Sequence, residues 1–123
     1  PADFRPAQAA PQKVKRGPIE TWSLELTKTE DIIARAEGPH LIKVGFAAES
    51  EQILQNARAK IQPKGLHLIA ANDITASDSG FSTDTNRVIS LDRDGYSEQL
   101  PLLSKYEVGQ RMLDRIVLYI QNL

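Results

Sequence analysis

Two apolar runs joined by one amphipathic stretch constrain this chain most. Residues 41–48 are apolar except for Lys43 and close on Val44-Gly45-Phe46-Ala47-Ala48-Glu49; residues 66–71 are apolar and close on Ala70-Ala71-Asn72-Asp73. Between them Ile53, Leu54, Ala57 and Ile61 recur at helical spacing, Ser50 is placed to cap, and Pro63 and Gly65 close the stretch. Strand, helix and strand in short connection predict a right-handed parallel crossover. The first run reads as a central strand with helices on both faces. Ligands of open α/β sheets bind just outside the carboxyl ends of strands. Small residues ending both runs, each beside an acid or an amide, therefore predict two edges of one crevice and a nucleotide or small-molecule site.

The rest of the chain fits an α/β reading. Trp22, Leu24 and Leu26 alternate with polar residues, the period of a half-buried strand over 20–27. Thr29 is placed as a helix N-cap, followed by Glu30 and Asp31, an Ile32, Ile33 and Ala36 face, and the stop Gly38-Pro39. Residues 72–86 have no apolar period and read as a loop held by Asx and Ser turns. Residues 87–91 and 97–100 flank Asp94-Gly95 and predict a hairpin. Ser104 and Glu107 form a capping box for a last helix whose apolar stripe is Val108, Met112, Ile116 and Ile120.

The amino-terminal residues are broken by Pro6, Pro11 and Pro18 around a basic knot, Lys13-Val14-Lys15-Arg16-Gly17. Three cations in four residues suit a flap that brings charge to phosphates; they equally suit a solvated loop.

Composition removes several classes. There is no cysteine, which excludes disulfides, thiolate catalysis and cysteine-ligated zinc and fits a cytoplasmic setting. His40 and His67 match no metal spacing. A net charge of -1 gives no global field toward nucleic acid or an anionic membrane. No apolar run approaches the ~20 residues of a membrane span. The start, Pro1-Ala2-Asp3-Phe4, is no signal peptide, and without an initiator methionine the chain reads as an excised piece of something longer.

Ala2-Asp3-Phe4-Arg5-Pro6, the basic knot, Val44-Gly45-Phe46-Ala47-Ala48-Glu49, Ala71-Asn72-Asp73, Gly80-Phe81 with Asp84 and Asn86, and Leu100-Pro101-Leu102 with Ser104-Lys105 follow one another in this order. In this the chain resembles phosphopantothenoylcysteine synthetase along essentially its whole length. In bacteria that enzyme is commonly the second half of a bifunctional coenzyme A biosynthesis protein, fused to a flavin-dependent decarboxylase. The resemblance implies a Rossmann-like three-layer α/β fold with a parallel sheet and an antiparallel hairpin, of which this chain is the carboxyl-terminal portion. Residues 1–19 become a loop and basic flap, 20–28 a dimerisation strand, and 29–123 the α/β core. The family's glycine-rich amino-terminal portion, with the asparagine tied to the second half-reaction, has no counterpart here.

The family joins 4'-phosphopantothenate to cysteine. It uses CTP with Mg2+, forms an acyl-cytidylate with release of pyrophosphate, and lets cysteine displace CMP. Carried over by position, Lys13 is the catalytic lysine of the flap. Asp3 approaches the ribose or a metal. Phe46 and its neighbours supply backbone that reads the cytosine. Lys60 and Lys64 lie near the nucleotide, and Asn72 ends the next strand. No metal ligand is assigned, no flavin is expected on this segment, and the resemblance implies a cytoplasmic homodimer. Catalysis requires both walls of the crevice in register, so the chain alone is expected to be inactive without the amino-terminal half of the domain.

Each assignment has a structural rival. Lysines late in a helix complement its dipole, Asp3 can cap a turn, Asn72 can hold a strand end, and Phe46 can be core. Two other functions fit the same residues: a dimerisation or structural module built on 20–27, and a nucleotide-binding regulatory domain. Nucleotide titration separates the first from ligation, and base selectivity separates the second.

Overall fold

A computed structural model describes residues 2–15, 17–18, 20–78 and 83–123 of the chain. The chain divides into two units, Pro1–Ile32 and Ile33–Leu123, the boundary falling in its first short helix.

The first unit is a two-stranded antiparallel ribbon. β1 (Phe4–Pro6) pairs with β2 (Leu26–Lys28), Phe4 opposite Lys28 and Pro6 opposite Leu26. Ala7 N–H donates to Glu25 O, and Thr29 N–H to Asp3 O, each at 2.9 Å. The Thr29 hydroxyl donates 2.7 Å to Ala2 O. Thr29 therefore closes the ribbon instead of capping a helix, and α1 (Ile32–Arg35) is a single turn, well short of the expected element. The expected strand over 20–27 contracts to β2, three residues long. Trp22 is 72% exposed and Leu24 and Leu26 are about half exposed. A two-stranded ribbon has no packed face against which such a stripe can be buried.

The second unit is mixed α/β. β3 (Val44–Glu49), α2 (Ile53–Lys64) and β4 (Leu68–Asp73) form the expected crossover, with Val44 opposite Leu68 and Glu49 opposite Asp73 in parallel register. β5 (Thr85–Asn86), β6 (Val88–Asp92), β7 (Ser97–Gln99), β8 (Leu103–Ser104) and α3 (Lys105–Gln121) follow. The main sheet has the order β3-β4-β6-β7, and β5 pairs with β8 in a small second sheet. The expected parallel sheet is thus a mixed one. The hairpin β6–β7 lies antiparallel directly against β4. This puts β4 in the interior and β3, expected to be central, at the edge among the described residues.

Burial follows the register. Leu68 and Ala70 point into one core cluster with Val88, Leu100, Val108, Met112 and Tyr119. Ile69 and Ala71 point into the other, with Ala57, Ile61, Leu66 and Leu91. Residues 68–71 of β4 are therefore all apolar, because the strand is covered on both faces there. Gly45 leaves room for the buried Leu66: a Cβ there would stand 2.8 Å from Leu66 Cδ1, so the leucine would have to shift.

The helix ends show where local signals decide. Ser104 Oγ accepts from Glu107 N–H at 3.1 Å, and Glu107 Oε2 accepts from Ser104 N–H at 2.9 Å, the expected capping box. At α2 the cap is Gln52, not Ser50; Gln52 is left-handed at φ 44° and gives no side-chain cap bond. Gly65, at φ 61°, ends that helix. On α3, Tyr119 is buried in place of the expected Ile120, which is half exposed. At about 100° per residue Tyr119 lies about 20° from Val108 around the helix, whereas Ile120 lies about 120° away. The hairpin turn is as read: Asp92 Oδ1 accepts from Asp94 N–H at 3.0 Å and Tyr96 N–H at 2.9 Å, and Gly95 has φ 104°.

Candidate functional site

The crevice read from the sequence corresponds to the carboxyl ends of β3 and β4. Their last residues are register partners, Ala48 opposite Asn72 and Glu49 opposite Asp73. Ile74 N–H donates 3.1 Å to Glu49 O, and Asp73 N–H donates 2.9 Å to Arg87 O, so the two strand ends are tied to each other and to the start of β6.

Charge at this edge is organised in pairs. Glu49 is buried, with its side chain 9% exposed, and Oε1 accepts from Lys60 Nζ. The lysine stands on α2, and helical side chains lean toward the helix amino terminus. For α2 that direction leads back to the carboxyl edge of the sheet. Asp73 Oδ1 accepts from the Thr75 hydroxyl at 2.6 Å and from Thr75 N–H at 2.9 Å. The Thr75 hydroxyl, ahead of its N–H, holds the Asp73 carboxyl below the usual carboxylate range. Beyond it, the Arg87 guanidinium grips Asp78 through two bonds of 2.8 and 2.6 Å, which lowers Asp78 and raises Arg87. The start of the loop between β4 and β5 thus shows an Asx turn of the kind expected. Gly80-Phe81 of that loop and Arg16 of the basic knot lie outside the described residues.

Phe46 lies in the middle of β3 opposite Ala70 and is 70% exposed, not core. Alternation puts its side chain with Val44, on the α3 face of the sheet, away from Glu49 and Lys60 on the α2 face. Its main chain is oriented differently. Lys43 O faces β4, where it accepts 2.8 Å from His67 N–H. In a parallel strand both backbone groups of a residue point to one side, and the side alternates. Phe46 N–H and C=O therefore point out from the open edge of the sheet.

The other assigned residues are spread. Lys64 ends α2, one turn beyond Lys60; the helix end is beside the start of β3, since a Cβ on Gly65 would stand 3.0 Å from Lys43 Nζ. Lys64 is therefore displaced from Glu49 toward the amino ends of the strands. Asn72 is half-buried at its strand end. In the first unit Asp3 is exposed and its carbonyl holds Thr29, while Lys13 is exposed in the loop between β1 and β2. Glu49 carries no role in the sequence reading, although it was visible there as the acid closing its run.

A second concavity, of about 190 Å³, lies at the other end of β4, lined by Asp92, Asp94, Arg115 and Tyr119 among others. Two of its charges are paired: Arg115 Nη2 donates 2.5 Å to Asp92 Oδ2, and the Arg115 guanidinium stacks 3.6 Å above the Tyr96 ring, while Arg115 Nε is buried without a hydrogen-bond partner. Burial, then the bond to Glu98, pushes Tyr96 up to about 12. This is a structural junction between the hairpin and α3.

Residues 1–119 match the family model for the DNA/pantothenate metabolism flavoprotein C-terminal domain. The chain belongs to this family. It is 39% identical to the coenzyme A biosynthesis bifunctional protein CoaBC of Bacillus subtilis over 117 residues, covering 94% of this chain and 29% of that protein. It is 37% identical to CoaBC of Escherichia coli K12 over 123 residues, covering 94% and 30%. Among solved structures, the C-terminal domain of a CoaBC superposes with a TM-score of 0.66 at 29% identity, over 81% of this chain and 46% of that one. The DNA/pantothenate metabolism flavoprotein of Streptococcus pneumoniae does so at 0.63 and 26%, over 81% and 43%. This member of the family thus spans about a third of its curated relatives and less than half of those solved chains.

Proposed function

We propose that this chain is the carboxyl-terminal part of a phosphopantothenoylcysteine synthetase domain and contributes one wall of its CTP site. The reaction is ligation of 4'-phosphopantothenate to cysteine in coenzyme A biosynthesis. The carboxylate attacks the α-phosphorus of CTP and pyrophosphate leaves; cysteine then displaces CMP from the acyl-cytidylate. Lys13 stabilises charge on the reacting phosphates, Asp3 meets the ribose, and Asn72, Lys60 and Lys64 line the nucleotide. Phe46 reads the base through its outward main-chain groups, a role that needs no particular direction of its ring.

The observation that carries this reading is the match to CoaBC along 94% of the chain. Among the described residues no group of three acidic or histidine side chains could hold a metal ion. Mg2+ commonly binds through substrate phosphates and one or two carboxylates, so a magnesium borne by the triphosphate suits this chain better than a resident ion. In the same reading the setting is cytoplasmic, the Rossmann-like layering is completed by a longer domain, and Trp22, Leu24 and Leu26 cover one another across a homodimer. No helix among the described residues is long and apolar enough to cross a membrane.

The test is calorimetric titration with CTP, ATP and GTP, with magnesium, on this chain and on a version extended at its amino terminus. CTP-selective binding that strengthens on extension is expected, with ligation only in the extended protein. Equal binding of all three nucleotides would favour a regulatory domain, and none in either protein a structural module.

A further inference from the structure

We infer that Glu49 is a positioning residue: its buried carboxylate holds the Lys60 ammonium so that the remaining donors face anionic oxygens of a nucleotide. The inference rests on the CTP reading above and adds to it a residue and a physical device.

Glu49 is the last residue of β3, opposite Asp73, and its main-chain carbonyl is fixed by Ile74 N–H. Its position is therefore set by the sheet. Its side chain is 9% exposed, whereas that of Lys60 is 40% exposed. The pair is thus asymmetric, with the carboxylate inside and the ammonium at the surface. An ammonium has three donors. One goes to Glu49 Oε1 on the inner side, leaving two directed outward. A lysine normally loses rotamer entropy on contact with a ligand; the bond to Glu49 removes part of it beforehand. Such preorganisation is how a fixed cation gains affinity over a free one.

The paired charges cancel at long range but not at contact. Within hydrogen-bond distance, outward N–H groups on a cation make short, strong bonds to phosphate oxygens. Lys60 has Glu49 as its acidic partner, and its helix aims it toward the carboxyl edge of the sheet. Lys64, one turn further on, is set away from that edge. Position along α2 thus separates two lysines that the sequence presents as equivalent.

The experiment is a double-mutant cycle on CTP affinity, in this chain and in the extended protein, using E49Q, K60M and both together. Thermal midpoints and the 15N-detected ammonium signal of Lys60 are recorded alongside. E49Q is expected to broaden or lose the ordered Lys60 signal without nucleotide and to weaken CTP binding about tenfold, the size of one charge-assisted bond. In the K60M background E49Q should change affinity no further. In the extended protein the loss should fall on KM for CTP more than on kcat. E49Q that lowers the thermal midpoint but leaves the Lys60 signal and CTP affinity as in wild type overturns the inference and leaves the CTP reading standing. Absence of CTP binding to the wild-type proteins overturns both. Additive losses in the double mutant also overturn it, because Glu49 would then act independently of Lys60.

Discussion

The backbone N–H of Lys43 donates 3.0 Å to Nδ1 of His67, so the start of β3 is held to the start of β4 by a ring nitrogen that must carry no proton. Lys43 Nζ meanwhile donates 2.8 Å to Ile33 O, and Arg93 donates to the carbonyls of Gly65 and Leu66. His67 is thus flanked by two cations, with the Tyr119 ring edge-on at 5.8 Å.

Burial first, then Arg93 and Lys43, push His67 below its ordinary value of 6.5. The unfolded chain therefore binds this proton more readily than the folded one. The associated stability is complete above 6.5 and is lost as pH falls through 6.5 toward the lowered folded value. The thermal midpoint of wild type is expected to fall relative to that of His67→Gln as pH drops from 7.5 to 5. Parallel curves for the two proteins would remove His67 as the titrating group.

Arg115→Leu should destabilise the fold by about 3 kcal/mol in denaturant unfolding, because it leaves the Asp92 carboxylate buried without its cation. Asp92 keeps the N–H donors of Asp94 and Tyr96, so the loss should stay at the low end for a broken buried pair. Replacing both partners, Asp92→Asn with Arg115→Leu, should cost less than the sum of the single changes.

Ser104→Ala should cost about 1 kcal/mol, the usual worth of an N-cap. Ser104→Asp should be nearly neutral, since its carboxylate can accept the same Glu107 N–H. Equal losses for both would mean that the hydroxyl is not what holds the helix start.

Gln52→Gly should raise stability by up to about 1 kcal/mol by relieving a left-handed residue. Its φ of 44° is the one positive value at a non-glycine among the described residues. Strain of this kind gathers beside functional sites, and Gln52 stands between Glu49 and α2. A lower thermal midpoint for the glycine variant would show that the Gln52 side chain does more for the fold than its backbone costs.

Where a signal was local and strongly periodic, the sequence was enough. The β3–α2–β4 crossover, the Asp94-Gly95 turn and the Ser104–Glu107 box each rest on neighbours in the chain. What was missed rests on distant partners. Thr29 looks like a cap until the carbonyl of Ala2 competes for its hydroxyl. β3 looks central because its apolar run is long, yet strand order depends on where the hairpin docks, which periodicity does not encode. Ser50 looked like the cap of α2, but no local rule anticipates a left-handed glutamine. The adjacency of the two strand ends was legible in part. The carboxyl edge, Asn72 and the acids beside it followed from the small residues ending two runs. That Glu49 would seek Lys60, eleven residues on, depended on how α2 lies over the sheet, as did the separation of Phe46 from both.

The hydrogen bond between Ala7 and Glu25 tethers the basic loop at both ends. Lys13 is six residues from Ala7, and at about 3.4 Å per residue its Cα can travel no farther than about 20 Å from that anchor. In the proposed role of Lys13, the phosphate it serves would have to come within this radius plus the length of one lysine side chain. Lengthening the segment between Ala7 and Lys13 would widen the swept volume and dilute the ammonium within it, and shortening it would narrow that volume.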